Sequence, residues 1–363
     1  MQLLTRLTAS PQTLDALNAS LAEVDDWAAF LRQAELYGVS NQLLRQVRSN
    51  ELAIPQEAVL SLKALALRHR SAADARYQVI EKLSLVLQQR NIPVVALKGL
   101  ALAPMIYSAD ELRPMRDMDV LVPREREAEV ATIVRELGFE LPETQPTRYM
   151  RDTHQLPNAT KQVNGFTISL EVHHDALSRD APGSFFYEEV APELQAFRWR
   201  ELELLTLGHE HMLHQLCRHL EALHPGGVLK LINVMDVVLY SEQYIEQIDW
   251  QRVKANYSHV LNTLKCLHQI MPLSGPLQAR VGGVSTTQNA NVGEIMLPLT
   301  IIFHKQNSLK KKLNLLFAPS DWWLHLYYNV NPTKSLLLVK LVKHPVTIIS
   351  WLAKRLYSRL LGG

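Results

Sequence analysis

Two short apolar runs with polar residues at their ends hold the side chains best suited to chemistry. The first run, residues 94–97, is followed by Lys98-Gly99, and the second, residues 120–122, is preceded by Asp117-Met118-Asp119. Such runs are typical of buried strands. Since residues two apart in a strand point to the same side, Asp117 and Asp119 should project together. Two carboxylates on one face repel each other, and Mg²⁺, which prefers oxygen ligands, is the usual counter-charge.

A second set of polar residues suits phosphate and metal binding. Gly99 lets the backbone approach a ligand, and Lys98 offers a point charge. Alternation along residues 166–173 puts Glu171 and His173 on one polar face. For His173, orienting that carboxylate, lining an acceptor pocket and a purely structural hydrogen bond all stay open.

The surrounding pattern predicts the elements that position these residues. Asn164-Gly165 predicts a hairpin with arms over 154–160 and 166–174. Residues 123–137 predict a helix that ends at Gly138 in a left-handed cap. Residues 1–90 read as helices, with Pro55 at the start of a long one, and we assign them no chemistry. From Leu204 onward the chain is predicted to be helical again.

These elements predict an α+β fold in which a mixed sheet is covered by helices. We expect an N-terminal helical region over residues 1–90, a small mixed-sheet catalytic domain over 91–200, and a C-terminal helical domain over 201–363 that ends in a basic apolar tail. Residues 276–296 are interpreted as a polar linker.

The order of Lys98-Gly99, then Arg113-Pro114-Met115-Arg116-Asp117-Met118-Asp119, then the strand that carries Glu171 resembles the nucleotidyltransferases of the DNA polymerase β-like superfamily. Within it, the chain is similar to the bacterial group called uncharacterised nucleotidyltransferases. The resemblance is most specific over about residues 90–175 and continues through a helical region to about residue 260. It departs from the superfamily at Lys98-Gly99, where Gly-Ser is usual, and this leaves open how the triphosphate is bound.

The resemblance implies a Mg-dependent transfer of NMP from an NTP to an acceptor hydroxyl, with pyrophosphate leaving. Asp117, Asp119 and Glu171 would hold two Mg²⁺ ions, or Mn²⁺ in their place. Lys98 and Gly99 with Arg113 and Arg116 would bind the nucleotide. An arginine four residues before the first aspartate recurs in the family and matches Arg113. Anchoring the loop is the alternative role for Arg113.

The helix after residue 204 is rich in histidine. It lacks the H-E-x-x-H zinc motif, because Leu213 stands where the second histidine would be. His211 and His214 share a helical face, which we interpret as a polar wall on the acceptor side of the cleft instead of a metal site. Asp236, in the next apolar helix, should have a partner such as Lys230, Arg218 or a histidine, and we place it on the same wall.

Composition limits the partners. The 363 residues carry a formal net charge of +2, which gives no strong nucleic-acid signal. The two cysteines, Cys217 and Cys266, are interpreted as buried thiols. No secretory signal is recognisable, so a cytoplasmic protein is expected. The tail over residues 332–361 is apolar and basic, with a proline and charges that disfavour a spanning helix, so peripheral contact with the inner face of the membrane or packing on the helical domain are both open.

Two other functions remain open from the sequence. The chain could be a non-catalytic nucleotide- or acceptor-binding scaffold in a polysaccharide or antibiotic-resistance-like pathway, or a membrane-surface assembly factor whose tail is the active part. The presence of all three carboxylates favours the enzyme. The sequence identifies neither the NTP nor the acceptor, which could be a small molecule, a glycan or a protein.

Overall fold

The computed structural model describes residues 2–8, 13–109, 112–142, 154–177, 184–221, 229–283, 321–328, 330–331, 334–350 and 353. Within these residues, five helices precede the first strand, in the region where the apolar periodicity predicted helices: α1 Gln2–Thr8, α2 Leu14–Ala22, α3 Trp27–Leu36, α4 Ser40–Ser49 and α5 Gln56–Gln89. Helix α5 begins directly after Pro55, since proline tolerates a helix start, where its missing N–H is not needed. It packs on α3 and α4.

The described strands form one sheet of six. They are β1 Val95–Leu97, β2 Asp117–Leu121, β3 Ala159–Val163, β4 Phe166–His173, β5 Gln195–Trp199 and β6 Leu202–Thr206. Their order in the sheet is β3-β4-β2-β1-β6-β5. Strand β2 lies between β4, to which it is parallel, and β1, to which it is antiparallel, so the sheet is mixed, as predicted.

Alternation along the central strands separates a core face from a polar face. Met118 and Val120 of β2 are fully buried, as are Ile168 and Leu170 of β4. The hairpin between β3 and β4 turns at Asn164-Gly165, whose φ angles of 49° and 81° match a two-residue turn that requires two positive φ values. The turn and the second arm of the hairpin are confirmed, whereas the first arm is Ala159–Val163 and not residues 154–160. The hairpin fixes which face of β4 carries Glu171.

Helices connect the strands and cover the sheet. Helix α6 Lys98–Ile106 follows β1 directly and packs on β1, β2 and β5. Helix α7 Glu127–Glu136 ends before Gly138, whose φ of 82° is the predicted left-handed cap. A short helix, α8 Tyr187–Val190, leads to β5.

Two local predictions are wrong. Leu204 lies in β6 instead of a helix, and β6 joins the sheet beside β1, so the sheet extends beyond residue 200, where we expected the catalytic domain to end. The predicted linker at 276–296 begins with a helix, α13 Gly275–Val281, and its residues from 284 onward lie outside the described part of the chain.

The remaining helices follow the sheet. They are α9 His209–Glu221, α10 Leu231–Gln243, α11 Trp250–Asn256, α12 Ser258–Leu267, α13 and α14 Asp321–Tyr327. A C-terminal helix over residues 337–350 contains a π turn at Val339–Lys343. Within the described residues, no helix is both long and apolar enough to cross a membrane. Both cysteines are buried thiols, as expected.

Candidate active site

Two carboxylates lie side by side across the parallel strands β2 and β4. Asp119 is paired in register with Glu171, and Asp117 lies on the same face of β2, opposite Ser169. Asp119 is almost fully buried, whereas Asp117 and Glu171 are partly exposed. The local alternation of each strand and the pairing of the two strands together bring the three carboxylates into one site.

Lys98 is held against this site by an unusual backbone conformation. It lies at the junction of β1 and α6 with a φ of 45°, a left-handed value that few residues other than glycine adopt. Its Nζ donates a hydrogen bond of 2.7 Å to Asp119 Oδ1. Burial opposes the charge of Lys98, but Asp119 outweighs burial and raises the pKa of the ammonium group.

His173 is closer to the carboxylates than its sequence position revealed. Its Nε2 lies 3.0 Å from Asp119 Oδ1 and 3.6 Å from Glu171 Oε2. Ligand atoms of Asp119, Glu171 and His173 all lie within 4.8 Å of one another. This donor set of two carboxylates and an imidazole suits a divalent cation, with Mg²⁺ and Mn²⁺ both served by the oxygen ligands. Asp117 lies beside this group without being part of it.

The two aspartates are affected in opposite directions. Burial would raise the pKa of Asp119, but Lys98 and His173 outweigh it and hold that pKa well below the usual range. At Asp117, burial and the neighbouring charges of Asp119 and Glu171 outweigh the attraction of Lys98 and raise the pKa. Asp119, the most buried carboxylate of the site, is therefore ionised, whereas Asp117 is repelled by Asp119 and Glu171. A bound cation would relieve that repulsion.

Arg113 does not point to the carboxylates but to helix α10. Its Nη2 donates a 2.6 Å hydrogen bond to Asp236 Oδ2, its Nε donates one of 3.3 Å to Oδ1, and Tyr107 Oη donates to the same Oδ1 at 2.8 Å. The expected pairing of Asp236 with Lys230, Arg218 or a histidine is therefore wrong. Arg113 and Asp236 are both buried, so this pair fastens the loop before β2 to α10.

Gly99 makes room for this ion pair. A Cβ atom at position 99 would lie 2.6 Å from Arg113 Nη1 and 2.9 Å from its Cζ. The close approach that glycine permits here is therefore to a guanidinium of the chain itself, where we had expected a ligand. Gly99 still lines the cavity described next.

The carboxylates lie in a cavity of about 1160 Å³. Seven of its lining side chains are lysine or arginine and four are aspartate or glutamate. The cations are Arg32, Arg68, Arg76, Lys98, Arg113, Arg116 and Lys230, and the carboxylates are Glu35, Asp117, Asp119 and Glu171. This volume is somewhat above the usual range for small-molecule sites, about 300–1,000 Å³.

Sequence reasoning missed the part of this cavity that the N-terminal helices supply. Arg68, Ala72 and Arg76 of α5 line it at intervals of four residues, and Arg32 and Glu35 of α3 do so at an interval of three. These spacings put each set on one helix face, with a small residue between the two arginines of α5. That pattern of cations was the available signal, but the leucines nearby favoured a purely structural interpretation.

Most residues of the predicted acceptor wall do not line the cavity. His211 and His214 are buried in a second cluster, where His214 Nδ1 lies 3.1 Å from His259 Nε2 and the ring of Phe185 packs edge-on against both His211 and His214. Neither they nor Asp236 line the cavity. From α9, the residue that does is His219, a half-buried histidine whose pKa burial lowers, so that it is neutral at pH 7.

The chain is similar to a protein family and to several solved structures. Residues 23–274 match the family described as uncharacterised nucleotidyltransferase. Among solved structures, the chain is similar to the crystal structure of ANT(2″)-Ia in complex with adenylyl-2″-tobramycin, with 15% identity and a TM-score of 0.35 over 50% of this chain and 98% of that one. It is also similar to the crystal structure of an antigenic nucleotidyltransferase-like protein from Paracoccidioides brasiliensis, with 15% identity and a TM-score of 0.35 over 64% of this chain and 97% of that one.

No curated protein sequence matches the chain. The assignment accordingly rests on the family match, which spans well over half of the 363 residues. The resemblance noted in the sequence, over about residues 90–260, lies within this region, and its carboxylates lie together in the structure. This chain belongs to the uncharacterised nucleotidyltransferase family and is a transferase enzyme.

Proposed function

We propose that the chain transfers an NMP from an NTP to an acceptor hydroxyl in a reaction that depends on Mg²⁺. The observation that carries this proposal is the pairing of Asp119 with Glu171 across β2 and β4, on the floor of a cavity whose lining has more cations than carboxylates. Carboxylates for a divalent cation and surrounding basic groups for a polyphosphate are the two requirements of such a transfer.

Each side chain then has a distinct role. Asp117, Asp119 and Glu171 would hold the metal, with His173 fixing the orientation of Asp119 and Glu171 through its Nε2. Bound Mg²⁺ would supply charge stabilisation at the phosphoryl oxygens and lower the pKa of the acceptor hydroxyl. Lys98 offsets the charge of Asp119 in the absence of ligand and is positioned to bind phosphate when a cation takes over that task.

Arg116 and Lys230 are the best candidates to bind the triphosphate. Arg116 is exposed in the cavity, and neither it nor Lys230 forms an ion pair with any described residue. Burial and the nearby Arg116 lower the pKa of Lys230, so an anion between them would relieve a repulsion. Arg113 is less suited, because Asp236 already occupies its guanidinium.

Calorimetry can test the coupling between metal and nucleotide. If the carboxylates hold the cation that bridges to the triphosphate, each ligand should strengthen the binding of the other. We expect the NTP of highest affinity to bind much more weakly in EDTA than in Mg²⁺, and Asp119→Asn to remove that difference. Equal affinity in EDTA and Mg²⁺ would contradict the assigned site.

Turnover separates the enzyme from a binding scaffold. Each of the four NTPs, labelled at the α-phosphorus, is incubated with the protein and a cell extract. Wild-type protein should move label to an acceptor, and Asp119→Asn should not. Metal-dependent NTP binding without label transfer from any of the four would favour the scaffold.

We also propose that the C-terminal helix contacts the surface of an anionic membrane. Its buried residues are Val339, His344 and Ile348, and the π turn supplies the five-residue step from Val339 to His344 that keeps them on one face. The helix contacts α14 through the ion pair of Lys340 with Asp321, and His344 meets the hydroxyl of Tyr328 just after α14. Six large apolar side chains on the remaining surface are at least half exposed: Leu337, Leu338, Leu341, Val342, Val346 and Ile349. Residues 295–363 contain ten lysines and arginines and only one acidic residue, Asp321. Exposed apolar side chains with this charge suit anionic lipid.

Vesicle sedimentation tests the membrane contact. Wild-type protein should sediment with vesicles that contain phosphatidylglycerol and less with neutral phosphatidylcholine vesicles. The double variant Leu338→Ser, Leu341→Ser should stay in the supernatant. The control double variant Leu60→Ser, Leu67→Ser removes two exposed leucines from α5 and should still sediment. Equal sedimentation of both double variants would contradict the assignment to the C-terminal helix.

A further inference from the structure

The cavity continues beyond the metal site to a second basic end. Arg76 lies near Asp117, and its Nη2 donates a 2.5 Å hydrogen bond to the carbonyl of Met115, just before β2. Arg68 lines the same cavity from two turns earlier on α5, about 12 Å away along the helix at 1.5 Å per residue. Arg32 of α3 also lines it, three residues from Glu35, whose carboxylate feels the charge of Arg68. We refer to this part of the cavity, formed by Arg32, Arg68 and Glu35, as the distal end.

The carboxylate of Glu35 at the distal end belongs to a chain of hydrogen bonds. Glu35 Oε1 lies 2.9 Å from His69 Nε2, and Glu35 Oε2 accepts a 2.8 Å hydrogen bond from Ser40 Oγ. On its other side the His69 ring meets Asn41 Nδ2 at 2.8 Å. Burial would raise the pKa of Glu35, but the bonds from His69 and Ser40 outweigh it and lower that pKa, so the carboxylate is ionised and already occupied.

Arg32 and Arg68 remain available for a ligand. Both are exposed, and within the described residues neither forms an ion pair or a hydrogen bond to a side chain. These two guanidiniums come from different helices and line one cavity, and the carboxylate of Glu35 there is already bonded to His69 and Ser40. An anion between the guanidiniums would offset their repulsion. Guanidinium groups bind carboxylate and phosphate through paired hydrogen bonds.

The nucleotide's phosphates belong at the other end. A triphosphate bridged to the metal must lie beside Asp117, Asp119 and Glu171, within reach of Lys98, Arg116 and Lys230. Arg68 lies about two helical turns from there. The NTP fragment that could extend so far is the nucleobase, which carries no charge at pH 7. The charge of the distal end therefore fits the other substrate.

We propose that the acceptor is an anionic molecule and that Arg32 and Arg68 bind its phosphate or carboxylate group. This inference rests on the proposed function, since it names the class of acceptor for that transfer. It assigns a substrate-binding task to the N-terminal helices α3 and α5. The acceptor hydroxyl would face the metal site while the anionic group lies at the distal end.

The first test uses small probes and needs no turnover. Protein saturated with Mg²⁺ and a non-hydrolysable NTP is titrated with glycerol 1-phosphate, glycerate or uncharged glycerol, and binding is followed by NMR saturation transfer. The two anions should bind and glycerol should not. The double variant Arg32→Gln, Arg68→Gln should lose this binding, whereas Arg45→Gln, Arg48→Gln, in a separate groove on α4, should keep it. Loss of anion binding in both double variants, or in neither, overturns the assignment.

The second test finds the acceptor's charge directly. Cell extract is passed over an anion-exchange resin, and label transfer is measured with the flow-through and with the salt eluate. Acceptor activity should be in the eluate, and Arg32→Gln, Arg68→Gln should raise the acceptor KM about 10- to 100-fold, the effect expected for lost charge-assisted hydrogen bonds. The KM for NTP should not change.

The outcomes separate this inference from the proposed function. Transfer to an acceptor in the flow-through overturns the anionic acceptor and leaves nucleotidyl transfer intact. A raised KM for NTP in the double variant overturns it too, because it would place the nucleotide at the distal end. Absence of transfer with both fractions contradicts the proposed function instead, and the probe titration still decides whether the distal end binds anions.

Discussion

At the scale of single residues, the site is defined by carboxylates that are not all neutralised. Lys98 and His173 lie against Asp119, while Asp117 keeps a raised pKa because it is buried near Asp119 and Glu171. For an acid whose folded-state pKa is raised, the contribution to stability is present at low pH and is lost as pH rises through that pKa. Above that pKa, the ionised Asp117 therefore destabilises the metal-free protein.

Asp117→Asn should consequently raise the melting temperature of the metal-free protein at pH 7. The same variant should lower transfer by at least about 10²-fold, since charge stabilisation dominates such reactions. Thermal melting in EDTA and the labelled-NTP assay measure the two effects. Asp74→Asn is the control, because exposed Asp74 pairs with Arg200 and gains nothing from losing its charge. A lower melting temperature for Asp117→Asn would show that repulsion does not dominate there.

Arg113 and Arg116 provide a second contrast between neighbouring residues. Arg113→Lys breaks the paired hydrogen bonds to buried Asp236 and should lower the free energy of unfolding by about 3 kcal/mol, with little change in the KM for NTP. Arg116→Lys should raise that KM and leave stability unchanged, because Arg116 is exposed. Chemical denaturation and initial rates measure the two quantities. The reverse pattern would assign Arg113 to the triphosphate.

At the scale of elements, the junction of β1 and α6 has two conformational requirements at neighbouring positions. Lys98 adopts a positive φ, and Gly99 must be small because the guanidinium of Arg113 lies against it. The loop before β2, helix α6 and helix α10 are thereby fastened together through Arg113, Asp236 and Tyr107. The position of α6 is thus tied to the strand that carries Asp119.

Gly99→Ala should destabilise the protein by about 1–3 kcal/mol, the usual cost of forcing atoms into a filled space. If the conflict is with Arg113, the same substitution should cost clearly less in an Arg113→Ala background. Gly275→Ala is the control, since no atom outside its neighbours lies within 4 Å of the added Cβ and its φ is not positive. Equal costs of Gly99→Ala in both backgrounds would assign the strain to another contact.

At the scale of the whole molecule, helices that precede the sheet in sequence and a helix that follows it line the same cavity as the strand carboxylates. Helices α3 and α5 line the cavity opposite the carboxylates, and the first residues of α10 line it as well. A separate cluster of buried histidines joins α9 to α12. That second cluster makes the stability of the fold sensitive to acid.

His214 and His259 set this sensitivity. Burial, reinforced by the charge of Arg218, lowers the pKa of His214 to about 4 and that of His259 to about 3, from an ordinary value of 6.5. Since the unfolded chain then binds more protons, their contribution to stability is present above pH 6.5 and is lost as pH falls toward those values. Stability should decline steeply over that window.

The double variant His214→Gln, His259→Gln should show a shallower decline, measured by urea denaturation at several pH values. His268→Gln, at a half-buried histidine, should change the slope less. An unchanged slope in the double variant would place the acid sensitivity elsewhere.

The sequence by itself determined the local features of this protein. Alternation of apolar and polar residues located β2 and β4 and the strand faces that carry Asp117, Asp119 and Glu171. The pair Asn164-Gly165 located the hairpin turn, and Pro55 located the start of α5. Each of these follows from backbone geometry within a few residues, which a sequence pattern reports directly.

Only the tertiary structure decided which of these elements meet. Strand β6 pairs with β1, where Thr206 lies opposite Ala96, 110 positions earlier in the sequence. Arg113 pairs with Asp236 instead of a phosphate. Arg32 and Arg68 reach the cavity from helices to which the sequence assigned no chemistry. Periodicity shows which face of an element is buried but not against what, because any apolar face gains similar free energy from any apolar partner. Shape, ion pairs and close approaches such as that at Gly99 choose among the partners, and they exist only once distant parts of the chain are packed.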